Sequence, residues 1–513
     1  METNTAHDGS IAWRPLDAEI DRLMLVYLHP SDFMNSFHSL LSGLQRRPKI
    51  GLEYLVGALA MIDFQADIVD EHLEPIYSET LVEKFAGRPA PFVGFYSTSF
   101  NRTRVSQHVD ILRRAIPHAR IIVGGPGSYH ADQFLNAGAD AVFVGEADWT
   151  IQEFVKFLKT GDPKIEDIRG LVLRDATGKT LRTPPRPAET QMDTLPWPMR
   201  VDPRKNQYCD WVCIPMKRPY ISALTSRGCP FHCTFCGSPG VWGHKVRLRS
   251  ARNVFDELVD AYNRFGVRHV NFQDDIFAWN LEWGRDFTTL MKNSPIDFRY
   301  MVILHPLSFF HHREEMMERL VESGCVMASY GAQAVDPQVL KNVKRSPNEP
   351  DALAAHLEIC SKLGLFSVIT YIFGLPGDTR ESMALSRKFA LEHNPTFVDY
   401  HPLGLLPGAE LGSTDEFMVG APGGDFTIDE LEALCSEALR EFYFRPSTMW
   451  RILKSTLKTN PAWLYQFPRY LLKEALGVYK ERFLPIRRDE VLRPGAGRWS
   501  DGGRGQEKLV VIG

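Results

Sequence analysis

A chain of 513 residues is longer than one hydrophobic core usually serves and implies two or three domains. With 44% hydrophobic and 24% charged residues and a formal net charge of −4, its composition is that of a soluble globular protein and gives no electrostatic case for a nucleic-acid partner. The opening stretch METNTAHDGSIAWRPLDAEID carries acids and no apolar core, so it reads as neither a signal nor a transit peptide, and no run of about 18 apolar residues marks a transmembrane helix.

Residues 1–19 read as a tail, and 20–160 as a first domain in which buried strands alternate with amphipathic helices. LMLVYLHP (23–30) predicts a strand, GLEYLVGALAMI (51–62) a helix, ADIVD (66–70) a strand and SETLVEKFA (78–86) a helix. FVGFYSTS (92–99) predicts the next strand, VSQHVDILRRAI (105–116) a helix, RIIVGGPGSYH (120–130) a strand and turn, and AVFVGEAD (141–148) the last strand. This alternation predicts a doubly wound, flavodoxin- or Rossmann-like α/β sheet, whose ligands sit beyond the carboxyl ends of the strands. Gly124, Gly125, Gly127 and Ser128 of GGPGS, and Gly145 and Glu146 of VGEAD, fall at those ends. Either they only form turns, or they let backbone approach a ligand closely.

A linker over 161–215 includes the proline-rich TPPRPAETQMDTLPWPMR (183–200), expected to pack across the seam between domains. Eight cysteines in a protein this large do not read as a disulfide framework. Five of them, Cys209, Cys213, Cys229, Cys233 and Cys236, crowd together, which points to metal in a reducing, cytoplasmic compartment. In TSRGCPFHCTFCGSPGVWGHKVRLRS (225–250), Cys229, Cys233 and Cys236 stand in C-x3-C-x2-C spacing between the strand YISALTS (220–226) and the helix ARNVFDELVDAYNRFG (251–266). A tetrahedral zinc and an ordinary electron-transfer cluster both want four ligands. Three thiolates can instead hold three irons of a 4Fe–4S cluster and leave the fourth iron open. The alternative is that Cys209 or Cys213, in YCDWVC, completes a four-thiolate zinc or closed-cluster site. Cys325, Cys360 and Cys435 read as buried small hydrophobes.

Strand–helix rhythm continues through 216–425. VNFQDDIFAWN (270–280) ends a strand on Asp274 and Asp275, and FRYMVIL (298–304), VMASYGAQAV (326–335), FSVITYIFGLPGDT (366–379) and FVDYHPLGLLPGAEL (397–411) carry further strands, the second of them with Gln333. Paired aspartates are either a solvated turn or acceptors for a ligand's hydroxyls or ammonium. Residues 426–488 read as a small helical C-terminal cap, and 489–513 as a disordered tail. Between 441 and 488 ten Lys or Arg face three Asp or Glu, interleaved with aromatics. That pattern reads as a cap over the active-site mouth with a solvated basic face, or as a peripheral membrane contact or a seat for an amphiphilic anionic substrate.

Two sets of motifs carry a resemblance. RPKIGLEYL, VGGPGS and VGEAD match the recurring P-x-x-I/L-G-L-x-Y-L, VGGP and GE of the cobalamin-binding domain that precedes the radical domain in many radical S-adenosylmethionine (SAM) enzymes. RGCPFHCTFC, with the aromatic Phe235 before Cys236, together with WGHKVRLRS and VNFQDDIFAWN, resembles the radical SAM domain over about 216–412. The chain therefore resembles the cobalamin-dependent branch of the radical SAM superfamily. The resemblance implies a partial (β/α)6 barrel, with the open iron chelating SAM for reductive cleavage to a 5′-deoxyadenosyl radical. It implies that Phe235 lies against the adenine and that Asp274, Asp275 and Gln333 contact SAM, Gln333 standing where the family usually has glutamate. It also implies that the strand-end residues of the first domain seat cobalamin. The D-x-H-x-x-G motif whose histidine ligates cobalt is absent from LHPSDFMNSFHS, where His29 and His38 lack that context.

As function, the resemblance implies methyl transfer to an unactivated carbon or phosphinate phosphorus of a small-molecule or lipid-like substrate. Oxidative cyclisation or rearrangement with cobalamin but without methyl transfer is the alternative, and a non-catalytic metal-binding protein is a third reading. S-adenosylhomocysteine formed beside 5′-deoxyadenosine separates the first two. The partners implied are an electron donor such as flavodoxin or ferredoxin and no nucleic acid, for a monomer. No catalytic residue beyond the cofactor ligands is legible, and loops carry no transferable substrate code.

Overall fold

The computed structural model describes residues 20–29, 47–204, 219–412 and 424–459, with 216, 418 and 419 and without 21, 72, 74, 75, 86 and 176. The tails expected at 1–19 and 489–513, His38, Cys209 and Cys213 lie outside the described residues.

In the first module β1 (Arg22–Tyr27), α1 (Ile50–Ala60), β2 (Gln65–Asp70), α2 (Ser78–Phe85), β3 (Phe92–Tyr96), α3 (Arg102–Ala115), β4 (Arg120–Gly124), α4 (Ala131–Asn136), β5 (Ala141–Phe143) and α5 (Asp148–Thr160) alternate. The inner strands β1, β3, β4 and β5 are mostly apolar on both faces because helices cover both, whereas the edge strand β2 keeps polar, exposed positions. Leu25, Phe92 and Ile122 pack under α1 and α5, while Val26, Val93 and Val123 pack under α2, α3 and α4. The parallel strands run in the order β2-β1-β3-β4-β5, which places the crevice for a ligand between the ends of β1 and β3. β5 is not the last strand. β6 (Leu171–Arg174) and β7 (Thr180–Arg182) extend the sheet antiparallel from within the stretch expected as linker. These strands, of four and three residues, are too short to show an alternating pattern.

The second module begins with β8 (Tyr220–Ala223), β9 (Ser226–Arg227), α6 (Ser238–Trp242), β10 (Arg247–Leu248) and α7 (Ala251–Phe265). It continues with β11 (His269–Phe272), α8 (Leu281–Lys292), β12 (Arg299–Leu304), α9 (Arg313–Glu322), β13 (Cys325–Gln333), α10 (Pro337–Asn342), α11 (Glu349–Leu363), β14 (Phe366–Phe373), α12 (Arg380–His393) and β15 (Phe397–Pro402). β8, β11, β12, β13, β14 and β15 pair in parallel and in chain order, the expected open barrel of six strands. Val270, Tyr300, Tyr330, Tyr371 and Tyr400 face the outer helices. The alternate positions Met301, Met327, Val368 and Phe397 face inward and close the barrel floor.

α13 (Ile428–Tyr443) and α14 (Pro446–Thr459) do not roof the mouth. α13 starts beside Gly374 at the carboxyl end of β14 and runs along the edge strand β15 to its amino end, where Tyr443 Oη donates to the Val398 carbonyl at 2.8 Å. Arg451 of α14 donates to the carbonyls of Asn394 and Pro395, and Ile452 packs against the floor. Burial of an apolar stripe, Leu431, Cys435, Leu439 and Phe442, against the exposed sheet edge explains this course. Residues 460–488 of the expected cap lie outside the described residues.

The proline-rich connector packs between the modules as expected. Met199 N donates to the Glu53 carbonyl at 2.9 Å, and the Trp197 carbonyl occupies the space a side chain at Gly57 of α1 would need. Beside it runs an ionic seam. Arg200, Arg227, Arg247 and Arg249 meet Glu53, Glu146, Asp148 and Glu257, with no side chain among them more than 6% exposed. The Arg227 guanidinium also lies over the rings of Tyr54 and Trp242.

Candidate functional site

The three cysteines of the predicted motif sit half-buried on the loop between β9 and α6, beyond the barrel's carboxyl end. Burial pushes the Cys229 thiol up to about 12 and raises Cys233 and Cys236 as well, so metal binding here must displace protons. Against that, the Arg345 guanidinium, 4% exposed, reaches Cys233 Sγ at 4.0 Å and favours its thiolate. Arg345 is itself held by buried Glu349 and by the Gly331 carbonyl at 2.8 Å. Phe231, inside the loop, stacks on His305 at the end of β12, with ring centroids 3.8 Å apart. Burial pushes His305 down to about 2, so its ring is neutral there. Phe235 is buried among Leu375, Leu403 and Leu405, with Cys233 and Cys236 packed on the same cluster. No three His, Cys, Asp or Glu side chains among the described residues converge on a single metal ion. A four-iron cube has its irons at separate corners and asks for no such convergence, so three soft thiols on one loop fit it.

The two aspartates after β11 separate in role. Asp274 is 1% exposed, and its Oδ1 accepts from the backbone N–H and hydroxyl of both Thr225 and Ser226, stapling the end of β8 to that of β11. Burial nevertheless pushes its carboxyl up to about 6. Asp275 accepts from Ser238 Oγ at 2.6 Å, lies near enough to Cys229 and Cys236 to raise both thiols, and lines a cavity. Gln333 ends β13 at a bulge in the left-handed region, φ +67°, a strained backbone for a residue with a side chain.

The cavity, about 270 Å³, opens between the two modules. One side is made by the strand ends of the first sheet, with Gly124, Gly125, Gly145 and Glu146, and the other by Ser226, Gln273 and Asp275 of the second module. Gly125 has φ +99°, and a Cβ there would lie 2.7 Å from the Ser97 carbonyl, so only glycine fits this turn. Gly127 and Ser128 do not line the cavity; both are buried, Gly127 against Ser97. Glu146 lines it, yet its carboxylate is held by Arg227 and Arg247. At the end of β1 the backbone of His29 is tied down: its N–H donates to Glu71, and its carbonyl accepts from Arg104. An apolar wall with glycine turns at its rim suits a large planar cofactor laid on the strand ends.

Sequence reasoning missed Arg345, His305 and the seam arginines. Arg345 and Glu349 stand four residues apart, as many exposed helical ion pairs do, and only their burial distinguishes them.

Residues 44–155 match the family model described as B12 binding domain, and residues 224–390 that of the Radical SAM superfamily. The chain is 25% identical over 424 residues to an uncharacterised methyltransferase of Pyrococcus horikoshii, covering 78% of this chain and 89% of that one. It is 23% identical over 417 residues to the cytidylyl-2-hydroxyethylphosphonate methyltransferase of Streptomyces wedmorensis, covering 71% and 76%. Its fold matches the radical S-adenosylmethionine methyltransferase TsrM of Kitasatospora setae, solved with tryptophan and a SAM analogue, with a TM-score of 0.61 at 18% identity over 77% of this chain and 75% of that one.

Proposed function

From its membership of the cobalamin-dependent radical SAM enzymes, to which the chain belongs, we propose how its residues divide the work of a methyltransferase. The enzyme uses a 4Fe–4S cluster, SAM and cobalamin. When bound, the cluster with SAM supplies hydrogen-atom removal and cobalamin supplies the methyl group. In our reading 20–160 is the cobalamin module and 216–425 the radical module. Cys229, Cys233 and Cys236 hold the cluster, and Arg345 stabilises the Cys233 thiolate. Asp275 and Gln333 would orient SAM at the barrel mouth and Phe235 would offer the adenine an apolar contact, while Asp274 keeps the mouth in shape from behind. Gly124, Gly125 and Gly145 seat the corrin, and Glu146 fixes the wall beside it through Arg227.

The observation that carries this reading is the shared cavity, lined by the glycine turns of one module and by Asp275 of the other. A substrate there would lie between the strand ends of the first module and Asp275 of the second. We propose a small-molecule or lipid-like acceptor methylated at an unactivated carbon or phosphinate phosphorus; a similar methyltransferase named for a phosphonate and a structural neighbour solved with tryptophan support a small-molecule acceptor. We further propose a cytoplasmic monomer reduced by a flavodoxin or ferredoxin. No helix among the described residues is long and apolar enough to cross a membrane. A peripheral contact would use α14, where Met449, Trp450, Leu453 and Leu457 are exposed beside basic residues.

The test is product analysis of the reconstituted enzyme with candidate acceptors. S-adenosylhomocysteine and 5′-deoxyadenosine should form together with methylated product; 5′-deoxyadenosine alone, with a cyclised or rearranged product, overturns methyl transfer.

A further inference from the structure

β15 carries a pair of side chains that the cofactor roles leave unused. Asp399 and His401 are two residues apart on one strand and so point to the same face. That face is the concave one: Val398 and Tyr400 pack outward among the helices, whereas Phe397 packs inward on the barrel floor. His401 Nε2 lies 3.0 Å from Asp399 Oδ2, and the two side chains keep 36% and 17% exposure although they sit in a strand whose outward neighbours are closed off. In register beside them on β14 are Thr370 and Ile372, and Ile372 packs against the cluster of Phe235, Cys233 and Cys236. The pair therefore stands inside the barrel, next to the cysteine loop.

We propose that Asp399 and His401 form a subsite that recognises an oxyanion, such as a carboxylate, phosphate or phosphonate, on the methyl acceptor. The proposal rests on the methyltransferase reading above. Burial alone would push His401 down, but the facing Asp399 carboxylate outweighs it and holds the imidazole above its ordinary value. A protonated imidazole presents only donors. The inward position beside Asp399 on β14 adds the hydroxyl of Thr370, and none of the inward positions on β8, β11, β12, β13 or β14 is acidic. The concave surface at this level thus offers hydrogen-bond donors backed by one neutralised carboxylate, an arrangement that suits an anionic acceptor and disfavours a cation.

The experiment uses the holoenzyme with ring-labelled histidine, propionate as probe and the isosteric neutral propionamide as control. The His401 ring signal, identified by its loss in His401→Gln, should shift saturably with propionate and stay put with propionamide. Asp399→Asn should weaken the propionate response roughly tenfold, while the SAM affinity of both variants stays at the wild-type value. A signal indifferent to propionate, or equally moved by propionamide, overturns the proposal while leaving methyl transfer standing if the wild type still makes S-adenosylhomocysteine and 5′-deoxyadenosine. Weakened SAM binding in either variant reassigns the pair to the SAM site and also overturns it. A wild type that makes neither product overturns the parent reading, and the subsite with it.

Discussion

Cys229, Cys233 and Cys236, each replaced by alanine, should lose the cluster, whereas Cys209→Ala and Cys213→Ala should keep about four irons per chain after anaerobic reconstitution. Iron and sulfide analysis decides it, and loss of iron in Cys209→Ala would mean a four-cysteine site. Asp274 allows a test by pH. Its folded carboxyl, pushed by burial from 3.8 up to about 6, holds a proton more tightly than the unfolded chain does. Stability from this group is full below pH 3.8 and lost as pH rises through about 6, about 3 kcal/mol in all. Between pH 5 and 7.5 the wild type should therefore lose roughly 1–2 kcal/mol more than Asp274→Asn, measured by urea unfolding. Parallel curves would show that the staple carries no proton. At this scale the spacing of Cys229, Cys233 and Cys236 was enough to put them on one short loop, where the structure has them. The resemblance implied that both aspartates contact SAM, whereas the structure buries Asp274 and leaves Asp275 lining the cavity, a split that depends on how two strand ends meet.

Among elements, the connector makes the sharpest prediction. Arg200 joins Glu53 of α1 to Glu257 of α7 with all three side chains 3% exposed. Arg200→Met strands a buried carboxylate and should cost about 3–5 kcal/mol in urea unfolding. Adding Glu53→Gln should return part of that; no recovery in the double variant would mean that Arg200 acts through packing alone. The long helices and buried strands were legible because each combines a clear period with flanking turns. β6 and β7 were not, because a four-residue strand and a three-residue strand on a sheet edge leave no period to read. The course of α13 was equally hidden. Its apolar stripe says that something covers it but not whether that is the barrel mouth or the edge of β15.

For the whole molecule, the shared cavity predicts that its two halves can be uncoupled. Ala147, at the start of α5, lines the cavity in an ordinary backbone conformation, whereas any side chain at Gly125 would distort the turn itself. Ala147→Trp should keep cobalamin from co-purifying and remove S-adenosylhomocysteine, yet leave SAM cleavage to 5′-deoxyadenosine. Retention of cobalamin with full methylation would place the corrin elsewhere. The seam between the halves also bears on how the chain is made. A ribosome releases the first module before the second exists, and a half-built protein with a waiting apolar face invites aggregation. What this module holds out for the later arginines is Glu53, Glu146 and Asp148, groups that water solvates well until the partners arrive. The nascent first half can wait for the second without a chaperone having to hide that part of its surface.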